Sequence, residues 1–329
     1  MKALVTGGGG FLGKVLVRQL VAGGWEVRSF SRGAYPELAN LGVEEVRGDL
    51  ADAEAVAAAV KGCDTVFHVA AKAGVWGAFE EYYRANVTGT ANVIAACHRL
   101  GVGRLVHTSS PSVVFSGGDI EGGDESLPYP EHFEAHYPRT KAEAERLVLA
   151  ANGPELATVA LRPHLIWGPE DNHLVPRIVA RGRAGRLRRV GARPCVVDSV
   201  YVDNAARAHL LAAERLSPGA PPAGKAYFIS NGEPLPLWEL VNRILACAGV
   251  PPVTKTISPQ AAYAAGWLLE KLYGALRLSG EPLMTRFLAR ELATSHWFDI
   301  GAARRDFGYV PEVSVDEGLG RLREWLRSS

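Results

Sequence analysis

The sequence predicts an α/β fold in which helices cover both faces of a mainly parallel sheet. Short apolar runs alternate with helical stretches through the first half of the chain, a pattern typical of such sheets. The first run leads into a glycine-rich turn, Thr6 to Gly13, which is followed at once by a helix. We therefore expect a doubly wound sheet of the Rossmann type in residues 1–165. The chain should return to that sheet near residues 195–230, and residues 166–329 should mainly form a smaller substrate-binding region.

The glycine-rich turn predicts a dinucleotide site. Its first glycine would form the tight turn, its second would let the backbone approach a pyrophosphate, and its third would let the helix pack on the strand. Free N–H groups at the start of the helix would then bind the phosphates. A glycine turn with a purely structural role is the alternative, but its position after the first strand favours the cofactor site. The residues predicted to hold the cofactor here are Gly7, Gly10, Phe11, Leu12 and Gly13.

The end of the second strand, Glu26–Arg32, predicts which cofactor is preferred. Enzymes that use NAD usually carry an acid there, which binds the ribose 2′-hydroxyl. This sequence has Ser31 and Arg32 instead. Because an arginine pairs with a 2′-phosphate, we expect NADP(H) to be preferred, with NAD(H) as the second option. The alternative is an ordinary surface arginine at a strand end.

Seven further residues complete the predicted cofactor site, and two of them, Tyr137 and Lys141, are also candidate catalytic residues. Asp49 and Leu50 follow the third strand, and Asp49 would either bind the adenine edge or cap the next helix. Ala70 and Ala71 end the expected fourth strand, where small side chains let a cofactor pass closely. A further strand is expected over residues 156–167, and Pro163 starts a loop that would lie near the nicotinamide.

A hydroxyl cluster and a Tyr–Lys pair supply the candidate catalytic residues. The fifth strand, expected over residues 104–114, contains the cluster that includes Ser110, and hydroxyls at the carboxyl end of a parallel strand face the ligand crevice. Tyr137 and Lys141 are spaced to share one helix face. The Lys141 ammonium, with a cationic nicotinamide, would lower the pKa of the Tyr137 phenol toward neutrality. Tyr137 would then exchange a proton with an alcohol or ketone whose oxygen Ser110 also holds.

Three other segments have more than one interpretation. Asn86 lies in a helical stretch over residues 80–100, where it would brace the neighbouring strand or the catalytic residues. Residues 116–136 form a Gly-, Pro- and acid-rich loop, expected at the surface and partly as a lid. The arginine-rich segment Arg177–Arg193 is either a solvated helix face or an anion site for a substrate carboxylate.

The C-terminal third contains one unusually apolar segment. Residues 260–278 have helical periodicity and would cap an apolar substrate pocket, rest in a membrane interface, or pack between domains or subunits. The tail over residues 299–326 should form a helix, a turn and a helix. Its expected anchors are Phe307, Tyr309 and Trp325.

Bulk composition narrows the class of protein. The chain has 329 residues and a formal charge of +1, which gives no electrostatic case for nucleic acid. The four cysteines are scattered without clustered histidines, so neither a disulfide framework nor a metal site is expected and a reducing cytoplasm fits. No signal peptide is visible before the first strand, and no apolar run reaches the roughly 18 residues that span a bilayer.

These motifs together resemble the extended short-chain dehydrogenase/reductase family across essentially the whole chain, most closely its 3β-hydroxysteroid dehydrogenase branch. The sharper match is carried by residues 107–115 with 124–129, by 224–234 and by 304–311. These segments are similar to decarboxylating sterol-4α-carboxylate 3-dehydrogenases and equally to bacterial 2-alkyl-3-oxoalkanoate reductases. Residues 67–77 and 283–297 favour the second group.

The resemblance implies an NAD(P)-dependent oxidoreductase that interconverts a 3-hydroxy and a 3-oxo group on a large hydrophobic substrate. Ser110, Tyr137 and Lys141 would be its catalytic residues, and Trp76, Ser110 and Tyr137 would touch the substrate. The sterol enzymes commonly keep an acid at the end of the second strand and use NAD, so Arg32 favours a reductase. The resemblance also implies a homodimer, formed by helices near residues 80–100 and 137–151. Peripheral contact with a membrane is compatible with the sequence.

Two other functions compete with this one. A sugar-nucleotide epimerase or dehydratase shares the tyrosine, the lysine and the glycine turn, but such an enzyme would need tightly bound NAD and a polar nucleotide pocket. Arg32 and the aromatic 260–278 segment argue against it. A catalytically silent NADP-binding regulator usually lacks the tyrosine or the lysine, and Tyr137 and Lys141 are both present.

Overall fold

The computed structural model describes residues 1–328 and contains fifteen strands in that part of the chain. Seven of them form one parallel sheet in the order β3-β2-β1-β4-β5-β7-β12. The strands are β1 (Lys2–Thr6), β2 (Glu26–Ser31), β3 (Glu44–Arg47), β4 (Thr65–His68), β5 (Arg104–Thr108), β6 (Ile120–Gly123), β7 (Ala157–Pro163), β8 (Ile166–Trp167), β9 (Arg189–Val190), β10 (Val196–Val197), β11 (Val200–Tyr201), β12 (Lys225–Ile229), β13 (Leu235–Pro236), β14 (Thr256–Ile257) and β15 (His296–Phe298).

Thirteen α-helices accompany these strands in the described residues. They are α1 (Phe11–Ala22), α2 (Pro36–Ala39), α3 (Ala53–Val60), α4 (Phe79–Tyr82), α5 (Gly89–Leu100), α6 (His136–Ala150), α7 (Leu174–Arg183), α8 (Val202–Arg215), α9 (Leu237–Cys247), α10 (Pro259–Leu276), α11 (Arg286–Glu291), α12 (Gly301–Phe307) and α13 (Val315–Ser328). The expected α/β class and doubly wound parallel sheet are confirmed.

The order of the main sheet reverses between β1 and β4, which pair directly through residues such as Thr6 and His68. In a doubly wound sheet, ligands bind outside the carboxyl ends of the strands at this reversal. One buried apolar cluster packs α1 and α8 against one face of the sheet, and another packs α3 and α5 against the other face. The fold therefore leaves a crevice above β1 and β4, where the glycine turn lies.

Three expected strands are shorter than the sequence indicated. The strand expected over 104–114 ends at Thr108, because Pro111 cannot donate a ladder hydrogen bond and starts a 3-10 turn over Pro111–Val114. The strand expected over 65–71 ends at His68. The one expected over 156–167 is broken after Pro163, where Leu165 adopts a φ of 43°.

The helix expected over residues 80–100 is interrupted by a π-helical turn, Tyr83–Thr88, which contains Asn86. The Asn86 side-chain amide donates to the Thr140 hydroxyl at 3.0 Å and to the Lys72 carbonyl at 3.1 Å. Its oxygen accepts from the Lys72 N–H at 2.7 Å. The bracing role of Asn86 is confirmed, and it joins α6 to the segment that follows β4.

A second layer is built mainly from the C-terminal part of the chain. Its four-stranded sheet has the order β13-β10-β15-β6, and a third apolar cluster packs α7, α9 and α13 together. Strand β6 lies within the expected surface loop 116–136, so part of that loop is fixed in a sheet. The helix–turn–helix tail is confirmed. Phe307 and Tyr309 are buried in the cluster that contains α1 and α8, and Trp325 packs against the cluster that contains α7, α9 and α13. No helix in residues 1–328 has the length and apolarity needed to cross a bilayer.

Two histidines buried beside the main sheet predict acid sensitivity. Burial lowers the pKa of His68 to about 3 and that of His209 to about 4, from an ordinary value of 6.5. Between these lowered pKa values and 6.5, the unfolded chain binds protons that the folded chain excludes. The free energy of unfolding therefore falls as the pH falls below 6.5. We expect a loss of roughly 2 kcal/mol per histidine by pH 5, measured by chemical denaturation.

His209→Gln should make this pH dependence shallower, whereas the same change at the exposed His132 should leave it unaltered. A free energy of unfolding that is constant between pH 7 and 5 would contradict the burial of both rings in the neutral form.

Candidate active site

The glycine turn has the shape of a phosphate cradle. Gly7 adopts a φ of 70°, and a Cβ added there would lie 2.9 Å from the Ala70 Cα. A Cβ on Gly13 would lie 2.1 Å from the Gly7 carbonyl oxygen, so α1 packs on the turn only with glycine at this position. No side chain caps the start of α1 after Gly10. The first N–H groups of the helix therefore stay available to an anion, and the turn fits a dinucleotide pyrophosphate.

Phe11 and Leu12 begin α1 directly after this turn, and Leu12 is buried in the sheet core. Tyr35 is an addition that sequence reasoning missed. A Cβ on Gly9 would lie 2.1 Å from the Tyr35 ring, so this ring lies flat against the turn. Tyr35 follows β2 outside any periodic segment, which is why no pattern indicated it.

The strand ends around the turn hold the other predicted cofactor residues. Ser31 ends β2 with a buried hydroxyl that has no hydrogen-bond partner in residues 1–328. Arg32 is exposed beside it and forms no ion pair within the described chain. Ala70 donates its N–H to the Thr6 hydroxyl at 3.2 Å, and Ala71 is exposed next to it. This side of the crevice is therefore lined by small side chains and by polar groups that have no partner in residues 1–328.

Asp49 does not cap a helix. Asp52 caps α3 instead, because its carboxylate accepts from the Glu54 and Ala55 N–H groups at 3.1 Å each. Asp49 accepts from the Ala51 N–H at 3.0 Å and pairs with Arg84 at 2.9 Å. The capping alternative is wrong, and contact of Asp49 and Leu50 with the adenine stays a prediction.

The three candidate catalytic residues come together beyond the end of β5. Ser110 precedes the 3-10 turn, and its hydroxyl lies 2.9 Å from the Ser112 hydroxyl. Tyr137 lies in the first turn of α6, and its phenol is near enough to Ser110 for that hydroxyl to influence the phenol pKa. Lys141 lies one turn further along α6 and is buried, with its Nζ donating to the Thr108 carbonyl at 2.5 Å. The structure thus brings together the groups that the spacing predicted.

The pKa values of these groups differ from the expectation. Burial raises the pKa of the Tyr137 phenol; the Ser110 hydroxyl opposes this rise and the Glu291 charge adds to it. Burial also lowers the pKa of the Lys141 ammonium to about 8. In the protein without cofactor Lys141 does not lower the pKa of Tyr137, because its ammonium donates to the Thr108 carbonyl. The phenol therefore keeps its proton at neutral pH. Lowering of this pKa by Lys141 together with a cationic nicotinamide stays a prediction.

Glu291, which ends α11, is a second addition. Its charge acts on Tyr137, and removal from water raises the pKa of its carboxyl group to about 7. Within residues 1–328 no donor reaches this carboxyl group. The C-terminus of α11 therefore places a partly protonated acid near enough to the Tyr137 phenol to influence its charge.

A buried hydrogen-bond chain fixes that end of α11. Asp198 bonds to His164, His164 Nε2 lies 3.1 Å from His296 Nδ1, and His296 Nε2 donates to the Glu291 carbonyl at 3.0 Å. His164 directly follows Pro163, the last residue of β7. This chain ties the predicted nicotinamide loop to the helix that carries Glu291.

Trp76 lies in the loop after β4, where its carbonyl accepts from the Tyr82 hydroxyl at 3.0 Å. Its ring meets that of Tyr273 on α10, with the centroids 6.3 Å apart. Trp76 is therefore held between this loop and α10, and its contact with substrate stays a prediction.

The arginine-rich segment supports the solvated interpretation. Arg177 pairs with Glu281 at 2.6 Å and Arg193 pairs with Asp119 at 2.7 Å, all with exposed surface. No contact joins this segment to Ser110, Tyr137 or Lys141 in the described part of the chain. An anion site for substrate therefore has no support at these arginines.

Comparisons with known proteins agree with this geometry. The family model described as "3-beta hydroxysteroid dehydrogenase/isomerase family" matches residues 4–258. A "2-alkyl-3-oxoalkanoate reductase" from Stenotrophomonas maltophilia (strain K279a) is 59% identical over 98% of this chain and 98% of its own length. The mouse "Sterol-4-alpha-carboxylate 3-dehydrogenase, decarboxylating" is 38% identical over 97% of this chain and 89% of its own.

A solved structure, "MoeE5 in complex with UDP-glucose and NAD", has a TM-score of 0.77 at 27% identity, covering 100% of this chain and 99% of the other. The sugar-nucleotide alternative thus shares the fold, but its identity is far below that of the reductase. The expected resemblance and the oxidoreductase class are confirmed. The chain belongs to the 3-beta hydroxysteroid dehydrogenase/isomerase family of oxidoreductases.

Proposed function

We propose that this protein is an NADPH-dependent reductase of 2-alkyl-3-oxo acids. The observation that carries the proposal is the 59% identity, over nearly all of both chains, to a protein named for that reaction. The juxtaposition of Ser110, Tyr137 and Lys141 beyond the end of β5, at the same edge of the parallel sheet as the glycine turn, supports it, since reduction of a ketone needs a proton donor near the hydride source.

The raised pKa of Tyr137 suits it to act as the acid in this direction. Its protonated phenol would donate to the C3 oxygen, while the Ser110 hydroxyl holds the same oxygen in place. Lys141, with a pKa of about 8, is mainly charged at pH 7, and with the cofactor bound its ammonium would favour the phenolate that remains. A reduced nicotinamide dinucleotide, held through its pyrophosphate at the glycine turn, would supply the hydride.

The cofactor class has separate support. The MoeE5 structure holds NAD on a similar fold, which supports a nicotinamide dinucleotide here. We propose that NADPH is preferred, because Arg32 stands exposed and without an ionic partner in residues 1–328 at the end of β2. A 2′-phosphate would supply that partner.

Arg32→Ala should weaken NADPH binding by roughly tenfold or more and change NADH binding little, because a charge-assisted bond to phosphate is lost. Fluorescence titration with both cofactors measures the two dissociation constants. Arg215→Ala, a change at another exposed arginine, is the matched control. Equal losses for NADPH and NADH would show that Arg32 does not read the 2′-phosphate.

Oxidation of a sterol carboxylate is the second candidate function, and the 38% identity to the mouse enzyme favours it. Steady-state assays with a long-chain 2-alkyl-3-oxo acid, a 4-carboxysterol and a UDP-sugar decide among the candidates. The proposal expects NADPH-dependent turnover of the acyclic acid at least tenfold above that of the others. Turnover of only the sterol or only the UDP-sugar would overturn it.

We also propose how the chain divides its tasks. Residues 1–165 and the return near 195–230 would hold the cofactor, and 166–329 would mainly shape the substrate site; the place of β12 in the main sheet supports this. A homodimer through the predicted helices is supported by the exposed apolar side chains of Tyr83 and Leu147. We place the enzyme in the cytoplasm, where the four free, buried cysteines suit a reducing environment.

A further inference from the structure

Helix α10 and the loop after it carry an exposed apolar surface, here called the α10 ridge. Leu268, Leu272 and Leu276 are spaced four residues apart and form one stripe along the helix. Their exposed fractions are 61%, 45% and 61%. The ridge also includes Trp267, Leu278 and Leu283, exposed by 48%, 43% and 50%. Soluble surfaces rarely keep so many neighbouring large apolar side chains in water unless something binds them.

The opposite face of α10 already has its packing partner. Ala262 and Gly266 are the buried residues of this helix. A Cβ on Gly266 would lie 2.6 Å from the backbone carbon of Thr285, so small residues bring the helix close to the start of α11. The ridge is therefore not a core face left uncovered by chance, because α10 is held to the protein by its other side.

The charges on the ridge are positive. Glu270, the acid of α10, is turned inward and pairs with Arg286 at 2.6 Å. Glu281, next along the chain, pairs with Arg177. Lys271 and Arg277 are exposed and have no ionic partner in residues 1–328. Leucines and a tryptophan flanked by free cations match a lipid interface whose headgroups are anionic.

We propose that the α10 ridge docks on a lipid bilayer that carries anionic phospholipids. The helix lies along the surface, with its leucines in the headgroup–acyl boundary and with Lys271 and Arg277 at the phosphates. A second copy of this chain is a poorer occupant, because a symmetric contact between two ridges would bring their unpaired cations together. Tyr273 of the same helix meets Trp76, so the docked face lies next to the loop predicted to touch an apolar substrate.

The test is co-sedimentation of the full-length protein with two kinds of vesicle at low salt. One kind is phosphatidylcholine alone, and the other is an equal mixture of phosphatidylcholine and phosphatidylglycerol. The wild-type chain should partition onto the mixed vesicles at least about tenfold more strongly than onto the neutral ones. The double change Lys271→Glu with Arg277→Glu should lower the anionic partition by at least about 25-fold, since each basic residue contributes a factor of about five.

The apolar part of the ridge has its own variant. Changing Leu268, Leu272 and Leu276 together to serine should cost at least about tenfold in partition, and these exposed positions should leave the thermal unfolding temperature unchanged. Leu41→Ser with Lys61→Glu, at exposed sites far along the chain, is the matched control and should bind like the wild type. Wild-type protein that stays in the supernatant with mixed vesicles overturns the proposal. A ridge variant that binds vesicles normally but changes oligomeric state in light scattering also overturns it, in favour of a subunit contact.

Discussion

Tyr137→Phe should abolish ketone reduction while leaving the cofactor site intact. The change removes the phenolic proton donor next to Ser110 and adds no bulk, so the backbone of α6 has no reason to move. A positioned general acid contributes a factor of roughly 10²–10⁴, and the loss should fall at or above the upper end because the phenol also orients the C3 oxygen. The rate constant for turnover measures this loss, and fluorescence titration should give an unchanged dissociation constant for NADPH.

The matched control is Tyr83→Phe, which removes an exposed phenol in the π-helical turn and should leave turnover unaltered. Retained activity in Tyr137→Phe would remove Tyr137 from the acid role. Glu291, the partly protonated group beside it, would then become the candidate donor.

Glu145→Gln should destabilise the protein by about 3–5 kcal/mol, because it leaves the Arg162 guanidinium buried without its counter-charge. Arg162 donates to the Glu145 carboxylate from two nitrogens, at 2.7 Å and 3.0 Å, and both side chains are almost fully buried. The carboxylate also accepts from the Tyr129 hydroxyl at 2.6 Å. Chemical denaturation gives the free energy of unfolding.

Two further variants separate a buried pair from a general effect of α6. Glu143→Gln on the same helix breaks an exposed pair with Arg139 and should cost less than about 0.5 kcal/mol. Replacing Glu145 and Arg162 together by methionine should recover most of the loss, since neither buried charge is then unpaired. A single Glu145→Gln variant as stable as the wild type would mean that solvent reaches this pair.

Much of the fold follows from local pattern. The glycine turn, the buried strands and the spacing of Tyr137 and Lys141 are set by neighbours within a few residues, so the sequence predicted them directly. Where the local sequence pattern was ambiguous, the predicted ends of the strands were wrong. The hydroxyls after Thr108 looked like a continued strand, but Pro111 stops the ladder and turns Ser110 toward Tyr137.

The remaining parts of the site depend on contacts between distant residues. Asp198, His164 and His296 form one buried chain, yet each comes from a different segment and no spacing marks them. The direction of the Tyr137 pKa shift depends on how closely protein surrounds the phenol, which periodicity does not encode. Position on a strand or helix is thus readable from sequence, whereas the electrostatics of the assembled crevice requires the structure.

Following the hydride from NADPH to the product tests most directly whether this protein reduces the C3 ketone. NADPH carrying deuterium at both C4 positions is incubated with the protein and a long-chain 2-alkyl-3-oxo acid, and the product is analysed by mass spectrometry. We expect a 3-hydroxy acid with one deuterium on C3, formed in step with NADPH oxidation, and no such product from Tyr137→Phe. A product without deuterium at C3, or NADPH that is never oxidised, would contradict a C3 ketoreductase.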